Sequence, residues 1–288
     1  MIDITIDGRK LTAPPGETVL DAAKANGIDI PTLCHHKAVP SWGGCRLCVV
    51  EISMPDWNGR TKIVTSCLQK VQAGLTVLTN SPRVTENRRT ILNLLIAQAP
   101  AAKDIQALAK KYGVSETSFV KGKAQHKCIM CSLCTRLCSA QDAHAISTIS
   151  RGPEKGIGTS WEKPSDDCIG CLICATNCPT GAIDYKEKGS HRHIWKKDFT
   201  LEKCTVCGAT LPLTKEQVKH YSRRSGLKPE YFTECEDCRR NGTARKFLEL
   251  VQDPSGELMK KWNTAGLPPL KMPRPTKEWR ENKRSGRL

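Results

Sequence analysis

The sequence predicts an α+β chain assembled from small modules held by cysteine, rather than one large core. Three features point there. All 16 cysteines of the 288 residues fall into four groups of four, with none left over. The spacing C-x2-C-x2-C-x3-C occurs twice, starting at Cys128 and again at Cys168. The first 80 or so residues read as strand, strand, helix, loop and strands. Aromatics make up 5% and hydrophobics 39% of the chain. Such a chain buries less core than its length suggests. Modules below about 80 residues usually need a staple, and metal-bound thiolates supply one.

Ile2, Ile4 and Ile6 alternate with polar residues, the pattern of a half-buried strand. Asp7-Gly8 is a hairpin turn, and Lys10 to Ala13 returns as the second strand. Thr18 caps a short amphipathic helix through Ala25, which Gly27 ends. Cys34 lies in the loop beyond. Cys48–Ile52, Lys62–Thr65 and Thr76–Leu78 read as strands, so residues 1–80 are expected to form a β-grasp ferredoxin domain. Thr85–Ala97 and Ala101–Tyr112 are helix candidates within a helical linker over 81–120. Residues 121–186 carry the repeat and are expected to form a two-cluster ferredoxin-like domain. A small four-cysteine, zinc-ribbon-like module is expected over 195–250, and an extended, basic, Pro-rich tail over 266–288.

The duplicated spacing is that of paired [4Fe–4S] clusters, in which three close cysteines hold one cluster and the fourth serves the other. The expected sets are Cys128, Cys131, Cys134 and Cys178 for one cluster, and Cys168, Cys171, Cys174 and Cys138 for the other. Ile129, Ile169, Leu172 and Ile183 are the apolar residues expected to shield them. Two independent zinc knuckles are the bland alternative. Cys204, Cys207, Cys235 and Cys238 form two distant C-x2-C pairs, the pattern of structural zinc, with a further iron–sulfur cluster as the alternative. Cys34, Cys45, Cys48 and Cys67 match neither pattern, and their first interval is longer than in plant-type ferredoxins.

Sixteen cysteines could instead form eight disulfides in a secreted scaffold. Met1-Ile2-Asp3-Ile4 opens directly on a strand with no leader-like pattern, and no apolar run approaches the ~20 residues that span a bilayer. A cytoplasmic chain with reduced, metal-binding thiols and no membrane insertion is the expectation. The formal charge is +16. Four tetrathiolate sites would offset about 8 of those charges. From Tyr185 onward there are 24 basic and 13 acidic residues, so the basic character is concentrated in the C-terminal third.

Pro31-Thr32-Leu33-Cys34, Gly43-Gly44-Cys45-Arg46-Leu47-Cys48 and the lone Cys67 resemble the N-terminal domain of the large iron–sulfur subunit of NADH dehydrogenase. Related subunits of NAD-linked hydrogenases and formate dehydrogenases share the pattern. The resemblance continues through Cys128-Ile129-Met130-Cys131, Cys134-Thr135-Arg136-Leu137-Cys138, Arg151-Gly152 and Cys178-Pro179-Thr180-Gly181-Ala182-Ile183, covering about residues 1–184. It implies a [2Fe–2S] cluster on Cys34, Cys45, Cys48 and Cys67. Gly43 and Gly44 would let backbone N–H groups approach its sulfurs. A zinc site there is the alternative. The family usually inserts a His-plus-three-Cys cluster before the repeat. Here Ile96-Ala97-Gln98-Ala99-Pro100 stands at that place, and no cysteine occurs between Cys67 and Cys128. Either folding shortens the route between the two regions, or their ends serve different partners.

His35 and His36 could tune the first cluster, and His126 and His144 flank the second motif, while His191 and His193 read as solvated. No nucleophile, P-loop or complete dinucleotide fingerprint is visible, so substrate chemistry is expected on another subunit. The expected role is an electron-transfer subunit with one [2Fe–2S], two [4Fe–4S] and one Zn. It would stand in a stable hetero-oligomer between a flavin/NAD(P)H-oxidising subunit and a second redox catalytic subunit of hydrogenase or formate dehydrogenase type. A redox-sensing nucleic-acid-binding protein and a free ferredoxin-like shuttle are the alternatives.

Overall fold

A computed structural model describes residues 1–251; the expected tail at 266–288 lies outside the described residues. Two compact units result. The first comprises residues 1–203 and 210–233; among the described residues, the second contains residues 204–209 and 234–251.

The first unit opens with a sheet. Strands β1 (Ile2–Ile6) and β2 (Arg9–Ala13) form a hairpin whose turn, Asp7-Gly8, has positive φ at both residues. Helix α1 (Val19–Ala25) follows, with the Thr18 hydroxyl accepting the Asp21 N–H as its cap. Strands β3 (Val49–Ser53), β4 (Lys62–Thr65) and β5 (Leu75–Leu78) complete five strands in the order β2-β1-β5-β3-β4. Only β1 and β5 run parallel. Val19, Leu20, Ala22 and Ala23 of α1 pack on Ile4, Ile6, Val50, Ile52, Leu75 and Val77, so one helix covers one apolar sheet face.

Helix α2 (Pro82–Gln98) starts where Ser81 accepts the Val84 N–H, three residues earlier than the apolar run alone predicts. Pro82 explains the earlier start, because proline suits the first helical turn. Helix α3 (Lys103–Lys111) lies against α2. Leu92, Leu95 and Ile96 of α2 and Ile105 and Ala109 of α3 share a second core with Cys34, Cys45, Leu47, Ile129, Cys131, Leu133 and Leu137. The linker is thus a wall against which the first and second cysteine loops both pack. Arg88, 1% exposed, fastens it. Its guanidinium donates to the carbonyls of Leu47 (3.3 Å) and Val49 (2.8 Å), on either side of Cys48, and to Asn80 Oδ1 (3.1 Å).

The repeat is built twice on one plan. Helix α4 (Leu133–Ala140) follows the second cysteine group's loop, and strands β6 (Ser147–Ile149) and β7 (Gly156–Gly158) form a short hairpin. Helix α5 (Ile173–Thr176) follows the third group's loop. Met130 and Ser132 have φ of 53° and 57°; Gly170 and Leu172, forty positions later, have 68° and 61°. Left-handed residues on both sides of the second cysteine curl each loop around its thiols.

Residues beyond the repeat form a second sheet. Strands β8 (Tyr185–Lys188), β9 (His191–Ile194), β10 (Lys197–Lys203) and β11 (Thr210–Thr214) are antiparallel in the order β11-β10-β9-β8. Helix α6 (Lys215–Ser225) packs on β10 and β11 behind a complete capping box at Thr214 and Gln217. The sheet and helix hold the third cysteine loop: buried Arg192 donates to Gly170 O (2.7 Å), and the Thr214 hydroxyl donates to Ile169 O (2.6 Å). His220 Nε2 donates to Gln141 O (2.7 Å) at the end of α4. The region expected as one module over 195–250 is therefore divided, because residues 210–233 pack with the first unit. Among the described residues, the second unit is the Cys204–Ala209 loop and the segment leading into helix α7 (Glu236–Val251).

Replacing Arg88 with Leu strips the Leu47 and Val49 carbonyls of a buried charged donor. Each such loss costs about 1–3 kcal/mol. Denaturant unfolding of the metal-replete chain should show a destabilisation of that order; a loss below about 0.5 kcal/mol, as at an ordinary surface site, would remove Arg88 as the fastener.

Candidate metal centres

The first four cysteines are buried. The Cys45 backbone N–H donates to Cys34 Sγ (3.4 Å). Cys34 is pulled down to about 6, first by the Cys45 thiol, with backbone N–H donors of Cys45 and Gly44 and the Arg136 charge adding to it against burial. Cys48 is pulled down to about 6 by Cys67. Cys45 and Cys67 are pushed up, by the Cys34 and Cys48 thiols respectively and by burial. Four buried thiols are the donor set a binuclear iron–sulfur group needs. The turn between them relies on glycine. A Cβ on Gly44 would sit 2.5 Å from Trp42 Cδ1, and one on Gly43, at φ +67°, would sit 2.6 Å from Leu68 Cδ1. His35 lies 3.8 Å from the Asp21 carboxylate and is pulled below the usual imidazole value by burial.

Cys128, Cys131, Cys134 and Cys178 line one cavity, with Ile129, Ile183 and Trp195. Cys138, Cys168, Cys171 and Cys174 line another, with Ile146, Ile169, Leu172 and again Trp195. Each cavity draws three cysteines from one motif and the fourth from the other. Backbone N–H groups point at the sulfurs: Met130 at Cys128 (3.4 Å), Ala145 at Cys138 (3.3 Å) and Ala182 at Cys178 (3.3 Å). Ile129, Ile169 and Leu172 are buried and Ile183 is partly buried. Burial pushes Cys131 up to about 11 and Cys134 and Cys174 up to about 12. Thiols placed this way give up their protons only to a metal that replaces the charge. Four convergent sulfurs in an apolar pocket with N–H donors aimed at them suit a cubane.

The two regions meet. Cys34 and Cys45 share their core with Cys131, and a Cβ on Gly44 would lie 3.6 Å from the Cys131 carbonyl. Arg136, between Cys134 and Cys138 on α4, donates to the carbonyls of Cys34 (2.6 Å) and Pro40 (2.7 Å). Folding thus brings the first and second cysteine loops together despite the missing intervening cluster. In the sequence Arg136 is only one letter of a motif, and neither Arg88 nor Trp195 carries any local signal; their roles arise from contacts between distant segments.

In the second unit, the ligand atoms of Cys204, Cys207, Cys235 and Cys238 lie within 4.8 Å of one another. Tetrahedral zinc, with Zn–S bonds of about 2.3 Å, needs sulfurs about 3.8 Å apart, and Cys207 and Cys235 have that separation, 3.8 Å. Cys204 is held down to about 6 by backbone N–H donors of Cys207 and Cys235, while Cys238 is pushed up by hydrogen bonds with Cys235 and Cys207. Cys204 and Cys207 belong to the loop between β10 and β11; Cys235 directly precedes α7, whose first turn contains Cys238. One pair on a strand connection and one at a helix start make up the four-cysteine site.

The fold and its cysteine sets are those of an iron–sulfur protein. Residues 1–82 match the 2Fe-2S iron-sulfur cluster binding domain, and residues 127–182 and 167–213 match the 4Fe-4S dicluster domain. The chain is 35% identical over 231 residues to the NADP-reducing hydrogenase subunit HndD of Solidesulfovibrio fructosivorans, covering 68% of this chain and 37% of that protein. It is 27% identical over 240 residues to the mitochondrial NADH-ubiquinone oxidoreductase 78 kDa subunit of Candida albicans, covering 73% and 32%. It thus spans roughly a third of the length of these relatives. Among solved structures, a chain of an NAD+-reducing [NiFe]-hydrogenase in the H2-reduced state superposes with a TM-score of 0.55 and 31% identity, over 63% of this chain and 86% of that one. The chain belongs to the family of iron–sulfur subunits that includes these NADH dehydrogenase and NAD(P)-linked hydrogenase members.

Gly170→Ala tests the local packing. The new Cβ would meet the buried Phe199 ring at 2.9 Å from a backbone held at φ +68°. Overpacking of this kind costs about 1–3 kcal/mol. The variant should melt earlier and retain less iron per chain than the parent; equal iron and equal melting would contradict the close approach.

Proposed function

We propose that this chain is the electron-relay subunit of a cytoplasmic multisubunit oxidoreductase. It would connect a flavin-bearing, NAD(P)H-oxidising subunit to a second redox subunit of hydrogenase or formate dehydrogenase type. What carries the reading is the gathering of three cysteine sets in one unit, with the loops of the first and second sets packed on a common core. When bound, iron–sulfur groups take up and release single electrons without proton or atom transfer to a substrate.

The residues have separable tasks in this role. Cys34, Cys45, Cys48 and Cys67 would hold a [2Fe–2S] group. Cys128, Cys131, Cys134 and Cys178 would hold one [4Fe–4S] group, and Cys138, Cys168, Cys171 and Cys174 the other. Exchange of the fourth cysteine ties the two motifs into one body. Ile129, Ile169 and Leu172 exclude water from the sulfurs. Arg136 keeps the Cys34 loop against α4, fixing the spacing between the first and second sets. Cys204, Cys207, Cys235 and Cys238 would hold zinc, which has no redox chemistry and serves as a brace. Among the described residues no helix is long and apolar enough to cross a membrane.

Cys171→Ser, made in the complex with its natural partners, separates these tasks. The [2Fe–2S] EPR signal should persist while NAD(P)H-driven reduction of the distal acceptor is lost. Unchanged long-range transfer would overturn the relay. Zinc removal by a chelator, by contrast, should leave every iron signal in place and lower the melting temperature; loss of iron signals alone would refute the brace.

A further inference from the structure

Trp195 stands at the boundary of the two dicluster cavities and belongs to neither cysteine motif. It lines the cavity of Cys128, Cys131, Cys134 and Cys178 and also that of Cys138, Cys168, Cys171 and Cys174. Its indole Nε1–H donates to Cys174 Sγ at 3.4 Å. Among the described residues, no second side-chain N–H is seen to donate to one of these eight sulfurs; the other N–H donors found come from the backbone. The Thr180 hydroxyl stands 3.6 Å from Cys178 Sγ in the neighbouring set.

The backbone that delivers the ring is unusual. Ile194 pairs with Lys197, so Trp195 and Lys196 alone form the turn between β9 and β10, with φ of 54° and 61°. A two-residue turn with positive φ at both positions ordinarily takes Asn-Gly or Gly-Gly. A bulky aromatic residue there is a genuine outlier, held only where its surroundings over-determine it. They do so here. Lys196 Nζ donates to Glu162 O (2.9 Å), and Lys197 Nζ donates to the carbonyls of Ser165 (3.0 Å) and Cys168 (3.0 Å). Phe199 and Ile194 bury the hairpin against Cys168, Leu172 and Cys174. An undemanding surface turn would carry glycine; this one carries the residue that reaches a ligand sulfur.

We propose that Trp195 is a tuning residue that raises the reduction potential of the iron–sulfur group held by Cys138, Cys168, Cys171 and Cys174. A hydrogen bond to a ligand sulfur stabilises the more negative, reduced state, and cluster potentials follow such bonds. The neighbouring set borders the same residue but does not receive its N–H, so the effect is confined to one of two groups that share the same ligand chemistry. This inference rests on the relay reading, and its test fails separately from it.

The decisive variant is Trp195→Phe, which keeps an aromatic ring and removes the N–H. In an EPR-monitored redox titration of the full chain, one [4Fe–4S] midpoint should move to more negative potential, while the other and the [2Fe–2S] midpoint stay. Independently of any variant, the parent protein labelled with [15N-indole]tryptophan should show 15N coupling to one reduced [4Fe–4S] group. Unshifted midpoints in a variant with full iron content would overturn the proposal. If Trp195→Phe loses iron, absence of 15N coupling in the parent would overturn it instead, and its presence would support it. A parent with no [4Fe–4S] signal at all would overturn the relay reading rather than this one.

Discussion

A buried thiolate is stable only when hydrogen bonds or a nearby cation offset its charge, and this chain is organised around that constraint. Eight of its sixteen cysteines are buried, in modules too poor in aromatics to close a core unaided. Without metal, burial and neighbouring sulfurs push thiols such as Cys131, Cys134 and Cys174 well above their usual range. With metal, the same burial becomes an asset, because it excludes water and leaves the backbone N–H donors as the sulfurs' main polar company. Folding and metal binding are in this sense one process.

The same constraint explains the ordering of the elements. The two repeat loops carry left-handed residues that turn N–H groups inward, and a helix follows each to anchor it. The cysteine loops are then clasped from outside by long cationic side chains that bond to carbonyls: Arg88 around Cys48, Arg136 around Cys34, Arg192 at Gly170 and Lys197 at Cys168. Such residues complement the negative charge of a tetrathiolate site while their hydrogen bonds set the loop. Part of the chain's high positive charge is therefore internal architecture.

Much of this was legible in the sequence, for physical reasons. The first sheet announced itself through the Ile2, Ile4, Ile6 alternation and the Asp7-Gly8 turn, both local signals. The internal repeat was legible because cluster loops require fixed spacing between thiols. The second sheet was not foreseen. Its strand β8 reads Tyr-Lys-Glu-Lys and is exposed throughout, so it lacks the alternation that marks a half-buried strand. Arg192 lies between His191 and His193, which read as solvated, yet it is buried because it finds Gly170, Gln217 and Glu187, which are contacts no local pattern encodes. Trp195 was invisible for the same reason. The direct approach of the Cys34 loop to Cys131 likewise required the α2–α3 wall, whose packing joins segments far apart in the chain.

The central claim is that these sulfurs hold inorganic groups of fixed kinds and number. Mössbauer spectroscopy of anaerobically purified, 57Fe-enriched protein, combined with elemental analysis, tests it most directly. The account predicts about ten irons per chain, about two in binuclear and eight in cubane environments, with about one zinc. Protein that is correctly folded yet holds no iron, or holds zinc in all four cysteine sets, would contradict it.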